Sequence, residues 1–247
     1  MIGLAARDRV AIPLKTGIVS ALGAYLILIL AVMTFFQATY RFVSSRLGYA
    51  PSLAPGQPFG ELFAIFAYVA MGWYAWRQLR KARSSMPLRA PSRADLLIFA
   101  GAFVVLLVAD KIDTAILSAL GQGDHVQAGF EDFSVRMNTA AGTAFAIALT
   151  ALTTTVLAPF AEELATRGLL FGGLTSRFGI VPAAILSGIV FGALHGDPIF
   201  FSVLAVEGAL MALAYAATGN LLVPIALHAA TNAINLWPAV SASLTKH

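Results

Sequence analysis

Two carboxylates and a guanidinium lie close together in an otherwise apolar stretch of the chain. The segment reads Pro159-Phe-Ala-Glu162-Glu163-Leu-Ala-Thr-Arg167-Gly168. Ionisable side chains near the centre of a bilayer cost about 2.5 to 3.5 kcal/mol even on lenient scales, so they are rare and usually functional. Glu163 and Arg167 have the favoured spacing for a helical ion pair. Their pairing would leave Glu162 free as a general base; the alternative is a structural charge cluster at a membrane interface.

Two of the four histidines lie in later apolar runs. Phe191-Gly-Ala-Leu-His195 ends one run, and His228-Ala-Ala-Thr-Asn232 lies inside the last. Residues four apart share a helix face, so His228 and Asn232 can present two hydrogen-bonding groups to one point. Together with the carboxylates, these groups could activate a water and stabilise an oxyanion. They could equally bind zinc, although no HExxH motif is present.

The composition indicates that helices in a membrane position these groups. Of 247 residues, 59% are hydrophobic and 11% charged, against roughly 25% charged in soluble domains, which excludes an ordinary water-soluble globule. Cysteine is absent, which excludes disulfides, thiolate metal sites and cysteine nucleophiles. Backbone amides in hydrocarbon must be paired within their own segment. We therefore expect an all-α, polytopic integral membrane protein with about seven or eight transmembrane helices.

The basic residues predict the topology. The net charge is +4, and six of the sixteen basic residues lie between the second and third apolar runs, namely Arg77, Arg80, Lys81, Arg83, Arg89 and Arg93. We interpret them as a cytoplasmic loop and not as a nucleic-acid surface. The first run, 16–36, follows Arg7, Arg9 and Lys15 and predicts a cytoplasmic N-terminus, in the plasma or inner membrane. The second run, 59–76, ends in an aromatic belt of Trp73, Tyr74 and Trp76.

The third apolar run begins near Leu96 and meets Asp110, Lys111 and Asp113. We expect these charges to end the span; the alternative is a longer helix in which Asp110 pairs with Lys111. The polar segment 121–136, which contains His125, is then an external loop. Five apolar runs follow, at about 138–158, 160–175, 181–195, 199–217 and 221–240, with predicted breaks at Pro159, Gly179 with Pro182, Pro198, and Gly219 with Pro224.

These patterns divide the chain into N-terminal helices (1–137), a core (138–240) and a tail (241–247). Gly188, Gly192 and Gly196 recur every four residues, which predicts close helix packing. Glu207 lies in the middle of an apolar run. It could pair with Arg167 or Arg177, or line a cavity and contact substrate.

Three motifs in this order, Glu162-Glu163-x-x-x-Arg167, Phe191-x-x-x-His195 and His228-x-x-x-Asn232, resemble those of the CPBP family of intramembrane proteases. That family includes the type II CAAX prenyl endopeptidases, the abortive-infection proteins and bacteriocin-processing proteins. The segment Thr218-Gly219-Asn220-Leu221 before Pro224 is also similar to the sequence that is usual in the family, and the resemblance covers roughly 138–240.

The resemblance implies that Glu162, with His195, activates the attacking water and that His228 and Asn232 stabilise the oxyanion. Glu163 and Arg167 would support the site. It also implies a possible zinc cofactor, held by Glu162, His195 and His228, although a glutamate mechanism without metal is equally compatible. Thr166 stands where many members carry an aromatic residue, which would alter the pocket but not the chemistry.

The expected function is therefore cleavage of a peptide bond in or near the membrane. The expected partners are a peptide or protein substrate and the lipid bilayer, with no nucleic acid. A CAAX-type protein, a leader peptide or another membrane-associated substrate fits equally well, and the topology predicts that the Glu162 end of the site opens towards the cytoplasm. Two alternatives are a transporter or proton relay, which would show paired inverted repeats, and a catalytically silent membrane scaffold or immunity protein.

Overall fold

The computed structural model describes residues 10–30, 42, 45–46, 58–83, 85–122 and 144–244. Within these ranges there are seven helices and no strand, which confirms the all-α fold. They are α1 (Leu14–Leu30), α2 (Pro58–Ala82), α3 (Arg93–Ala119), α4 (144–178), α5 (Ile180–Leu194), α6 (Phe201–Thr218) and α7 (Leu222–Leu244).

Several of these helices are apolar enough for a membrane. By length and hydropathy, 147–178 and Phe201–Thr218 could each cross a bilayer, and Leu14–Leu30 and Ile180–Leu194 are shorter apolar helices. Their length and hydropathy favour a membrane protein, while the number of spans and their orientation stay predictions. Arg7, Arg9, the end of the first run after residue 30, and most of the expected external loop lie outside the described residues.

The helix α4 corrects the predicted break at Pro159. Ala144–Leu152, Ala158–Glu163 and Gly172–Phe178 are α-helical, while Thr153–Leu157 and Leu164–Phe171 are π-helical, so one continuous helix runs through the proline. A proline ring inside an α-helix clashes with the carbonyl four residues earlier and removes a hydrogen bond. The wide π turn immediately before Pro159 changes the hydrogen-bond register at that place, and the helix continues.

The helix α3 corrects the expected end near Asp110. It continues to Ala119, and Lys111 Nζ lies 3.0 Å from Asp110 Oδ2, as the alternative predicted. The pair is solvent-accessible, with Lys111 78% exposed, so the helix carries these charges at little cost.

The other predicted breaks are confirmed. Gly179 separates α4 from α5, and Pro198 lies between α5 and α6. Gly219 ends α6 in the left-handed conformation (φ 64°), which glycine adopts without steric cost.

Close glycine contacts pack the helices. A Cβ on Gly188 or Gly192 would meet the backbone of α6 at Ala205 or Phe201, which confirms the predicted packing. Gly196 is different, because it lies in the turn after α5 with a φ of 68° and nothing close to its Cβ position. On the other side of α4, the backbones of Gly17 in α1 and Gly173 approach each other, so α1 and α2 cover the face of α4 away from α6.

A polar network, here called the loop latch, joins the α2–α3 loop to the α6–α7 turn. It consists of Arg89, Asp95, Thr218 and Asn220. Arg89 pairs with Asp95 through both terminal nitrogens (2.5 and 3.0 Å) and donates to the Thr218 carbonyl. Asn220 Nδ2 donates to the Arg89 carbonyl at 3.0 Å. The latch fixes the start of α7, the helix that carries His228 and Asn232.

Candidate active site

The predicted pair of Glu163 and Arg167 forms the buried centre of the site. Arg167 Nη1 lies 2.6 Å from Glu163 Oε1, and neither side chain is exposed. Arg167 Nη1 also donates to the Thr166 hydroxyl (2.7 Å), and Nη2 donates to the Gly208 carbonyl (3.1 Å). Thr166 therefore helps to hold the guanidinium. Such dense pairing is what allows two charges to be buried.

His228 on α7 joins this pair. Its Nδ1 lies 3.0 Å from Glu163 Oε1, a carboxylate oxygen that can only accept, so Nδ1 carries a proton. The opposite nitrogen, Nε2, lies 4.0 Å from Glu162 Oε2. Arg167 thus fixes Glu163, Glu163 fixes the His228 ring, and the ring presents Nε2 to Glu162. A carboxylate that orients a histidine in this way is common in catalytic sites.

Glu162 remains unpaired with Arg167, as the spacing predicted. Its side chain is 13% exposed, whereas that of Glu163 is fully buried. The Tyr68 side chain from α2 lies beside its carboxylate. Gly72, one turn further along α2, packs directly against Ala161. A helix outside the resembling segment therefore forms one wall of the site.

The Phe191 ring connects the cluster to His195. Its centroid lies 4.4 Å from the Arg167 guanidinium carbon, 5.5 Å from the His228 ring and 4.6 Å from the His195 ring. The Phe191 carbonyl accepts from His195 Nδ1 at 2.8 Å, so His195 Nε2 is free of a proton when the ring is neutral. Within the described residues, His195 reaches the other site residues through this ring and not by a hydrogen bond.

Asn232 is positioned by the local geometry of α4. In the π register, the Ala158 N–H donates to the Thr153 carbonyl, so the next carbonyl, Thr154, would need the N–H of residue 159. That residue is proline and has none. Asn232 Nδ2 donates to the Thr154 carbonyl instead, at 2.9 Å. Because Pro159 leaves the Thr154 carbonyl without a backbone donor, this carbonyl can bind and position the Asn232 amide. The second hydrogen of Nδ2 remains for another acceptor.

Glu207 does not pair with Arg167 or Arg177. Arg167 meets the neighbouring Gly208 carbonyl, and Glu207 lines a cavity with Asp110, Thr231 and Asn235. The cavity lies on the side of α7 next to the one that carries His228 and Asn232. The pairing alternative for Glu207 is therefore wrong, while its contact with substrate stays a prediction.

The three predicted zinc ligands, Glu162, His195 and His228, are not arranged around a common point. Among the described residues, no three histidine, aspartate or glutamate side chains are grouped so that they could hold a metal ion. His228 Nδ1 is occupied by Glu163, and His195 Nδ1 by its own helix. Glu162, His195 and His228 therefore do not meet at one point that could hold zinc.

The segment that carries the site is similar to a known protein family. Residues 144–234 match the family described as type II CAAX prenyl endopeptidase Rce1-like. The match covers more than a third of the chain and all six predicted site residues, and it confirms the resemblance to the CPBP family for this segment. Within residues 144–234 the chain is thus similar to a family of membrane proteases. No curated protein and no solved structure matches the chain.

Two contributors to the site were not predicted from the sequence. Tyr68 lies in an aromatic-rich run 94 positions before Glu162, and nothing in the neighbouring sequence distinguishes it from the other aromatic residues. Phe191 was recognised as part of a motif but without a role. Only the packing of α2 and α5 on α4 shows that both side chains touch the charged groups.

Proposed function

We propose that the protein is an endopeptidase that cleaves membrane-associated peptides, with Glu162 as general base. The observation that supports this most directly is the division of labour between adjacent carboxylates. Glu163 is committed to Arg167 and His228, whereas Glu162 is accessible and faces His228 Nε2 at 4.0 Å. One water molecule can contact both groups, which is the geometry that general-base activation requires.

In the proposed reaction, Glu162 takes a proton from water as its oxygen bonds to the scissile carbonyl carbon. The resulting oxyanion accepts hydrogen bonds from His228 Nε2–H and from the second Nδ2 hydrogen of Asn232. Collapse of the intermediate breaks the carbon–nitrogen bond, and Glu162 returns the proton to the leaving amine. His195 would assist Glu162 from beyond the Phe191 ring, as the family resemblance implies.

The charge balance of the cluster supports a protonated His228 in this role. Glu162 and Glu163 contribute two negative charges, and Arg167 contributes one positive charge. An imidazolium at His228 brings the cluster to neutrality, and it donates from Nδ1 to Glu163 and from Nε2 to the oxyanion. A neutral cluster is the arrangement that a buried site favours, since uncompensated charge in a low-dielectric region is costly.

The substrate class follows from the family and is part of the proposal. The matched family is described as CAAX prenyl endopeptidases, so a peptide with a prenylated cysteine near its C-terminus is the first substrate to test. Unprenylated leader peptides of the same length form the comparison. The zinc cofactor stays a prediction, tested by a chelator in the same assay.

The test is peptide cleavage by the purified full chain in detergent, wild type beside Glu162→Gln and His228→Ala. We expect each variant to lose at least about 100-fold, since removal of one preorganised group at such sites costs about 2.7 kcal/mol or more. Asp113→Asn is the matched control, because it neutralises a carboxylate on α3 that does not belong to the site, and it should cleave at the wild-type rate. If Glu162→Gln cleaves as fast as Asp113→Asn, Glu162 is not the base.

A further inference from the structure

The outer face of α2 changes character along its length. Four apolar side chains, each about half exposed, recur at helical spacing on this face: Leu62, Phe66, Val69 and Trp73. The same stripe continues with Arg77 and Arg80. The Arg77 guanidinium lies 4.9 Å from the centre of the Trp73 ring. An apolar stripe that ends in tryptophan and then in arginine indicates the boundary between acyl chains and headgroups.

A polar cavity lies where this stripe ends. It has a volume of about 240 Å³ and is lined by Arg80, Arg83, Ser85 and Met86. Arg83 Nη1 donates to the Val10 carbonyl at 3.1 Å, so the chain before α1 holds this guanidinium in place. Arg80 is exposed and lines the same cavity. The exposed Arg80 guanidinium and the Ser85 hydroxyl form a donor pair that suits a phosphate group, and the guanidinium of Arg83 adds positive charge beside them.

Three of the basic side chains at this end of α2 are not neutralised by the part of the chain that the structure describes. Arg77, Arg80 and Lys81 make no ion pair with a described carboxylate. The carboxylate that follows in sequence, Asp95, is committed to Arg89 in the loop latch. Retention of the loop in the cytoplasm needs only positive charge. It does not need a cavity or two guanidinium groups on its walls.

We propose that this face of α2 is a binding site for an anionic phospholipid of the bilayer. The phosphate lies in the cavity and bonds to Arg80 and the Ser85 hydroxyl, and one acyl chain runs along the stripe from Trp73 to Leu62. Both requirements of the ligand follow from the surface, because the cavity selects an anion and the continuous apolar stripe selects a lipid. The site is independent of the proposed proteolysis.

The test uses the full chain in phosphatidylcholine nanodiscs with brominated phosphatidylglycerol added, and it records quenching of tryptophan fluorescence. Trp73 lies in the stripe, so a lipid bound there quenches it. We expect brominated phosphatidylglycerol to quench at lower mole fraction than brominated phosphatidylcholine, and Arg80→Gln to reduce this preference about fivefold, the value of one interfacial charge. Arg77→Gln should act in the same direction.

The matched control is Arg177→Gln, an exposed arginine at the end of α4 that does not line the cavity. It should leave the preference unchanged. Equal quenching by both lipids, or an equal loss in Arg177→Gln and Arg80→Gln, overturns the proposal, since either outcome means a diffuse charge effect. If inorganic phosphate at constant ionic strength abolishes the preference, the cavity binds free anions and the lipid assignment is wrong.

Discussion

The buried cluster on α4 and the loop latch are built from the same parts but differ in burial. Each contains a carboxylate, a guanidinium and a third polar side chain: Glu163, Arg167 and His228 in the first, and Asp95, Arg89 and Asn220 in the second. Arg167 is fully buried, whereas Arg89 is 49% exposed. Solvent therefore stabilises the charges of the latch, while the cluster depends on its own partners.

The two networks also differ in how completely their polar atoms are paired. Both Asp95 oxygens accept hydrogen bonds, from Arg89, the Ser92 N–H and Asn220. In the buried cluster, Glu163 Oε2 and Arg167 Nε have no partner among the described residues. Unpaired buried polar atoms are uncommon, and they concentrate where a protein does chemistry. The hydrogen bonds of the latch are complete and hold a turn, whereas the buried cluster keeps two polar atoms without a partner among the described residues.

The largest expected effect is the loss of stability in Arg167→Met. This change leaves Glu163 buried without its guanidinium, which should lower the free energy of unfolding by about 3 to 5 kcal/mol. Denaturant unfolding of the purified chain in detergent measures it. Arg177→Met, in an exposed position on the same helix, should change it by less than about 0.5 kcal/mol. Equal losses in the two variants would show that burial of the pair is not what matters.

The next effect is on catalysis, in Tyr68→Phe. The variant loses the hydroxyl beside Glu162, and polar contacts to charged groups are worth about 1.5 to 3 kcal/mol, so kcat should fall at least about tenfold with little change in KM. Tyr74→Phe, on the same helix with its hydroxyl against Gly23, is the control. An unchanged kcat in Tyr68→Phe would mean that the Tyr68 hydroxyl makes no contribution to catalysis.

A smaller effect is expected from the latch, and it depends on pH. Asp95 precedes the apolar part of α3, and the Arg89 guanidinium lowers the pKa of its carboxyl from 3.8 to about 2. A lowered folded-state pKa contributes stability that is fully present above pH 3.8 and is lost as the pH falls through 2. Asp95→Asn should be less stable than wild type by about 1 kcal/mol at pH 6, because Arg89 is half exposed.

The measurement is the difference in unfolding free energy between wild type and Asp95→Asn from pH 6 down to pH 2. The difference should shrink below pH 4. A difference that stays constant to pH 2 would show that the latch acts through its shape and not through the charge of Asp95.

The smallest effect is expected at the exposed pair on α3. Lys111→Ala removes the partner of Asp110, but both side chains are accessible to solvent, at 78% and 42%. The unfolding free energy should change by less than about 0.5 kcal/mol. A loss near that of Arg167→Met would contradict the view that burial separates the important pairs from the unimportant ones.

Much of the fold was predictable because glycine and proline act locally. Gly179 and Gly219 end helices through their own backbone angles, so the breaks there follow from the sequence. Pro159 misled the prediction because its effect depends on the hydrogen-bond register of the preceding turn. Asp110 did so because a helix can carry exposed charges beyond its apolar part.

The contacts of the site were predictable only where both residues lie on one helix. The contact of Glu163 with Arg167 follows from their spacing on one helix. The contact of Glu163 with His228 depends on how α7 packs on α4, and that of Glu162 with Tyr68 on how α2 packs there. For His228, the sequence motif indicated a role in the site although the contact with Glu163 could not be predicted. For Tyr68 there was no motif, so only the structure reveals it.

The π turn Thr153–Leu157 makes the site sensitive to the length of the chain. It holds one residue more than an α turn, so deletion of a single residue there would shift the preceding part of α4 by one position relative to Glu162. The preceding part, Ala144–Leu152, would then rotate by about 100° relative to Glu162, and the Thr154 carbonyl would leave Asn232. Substitutions that keep the count avoid this rotation. A one-codon deletion can therefore disable the site without altering any catalytic residue.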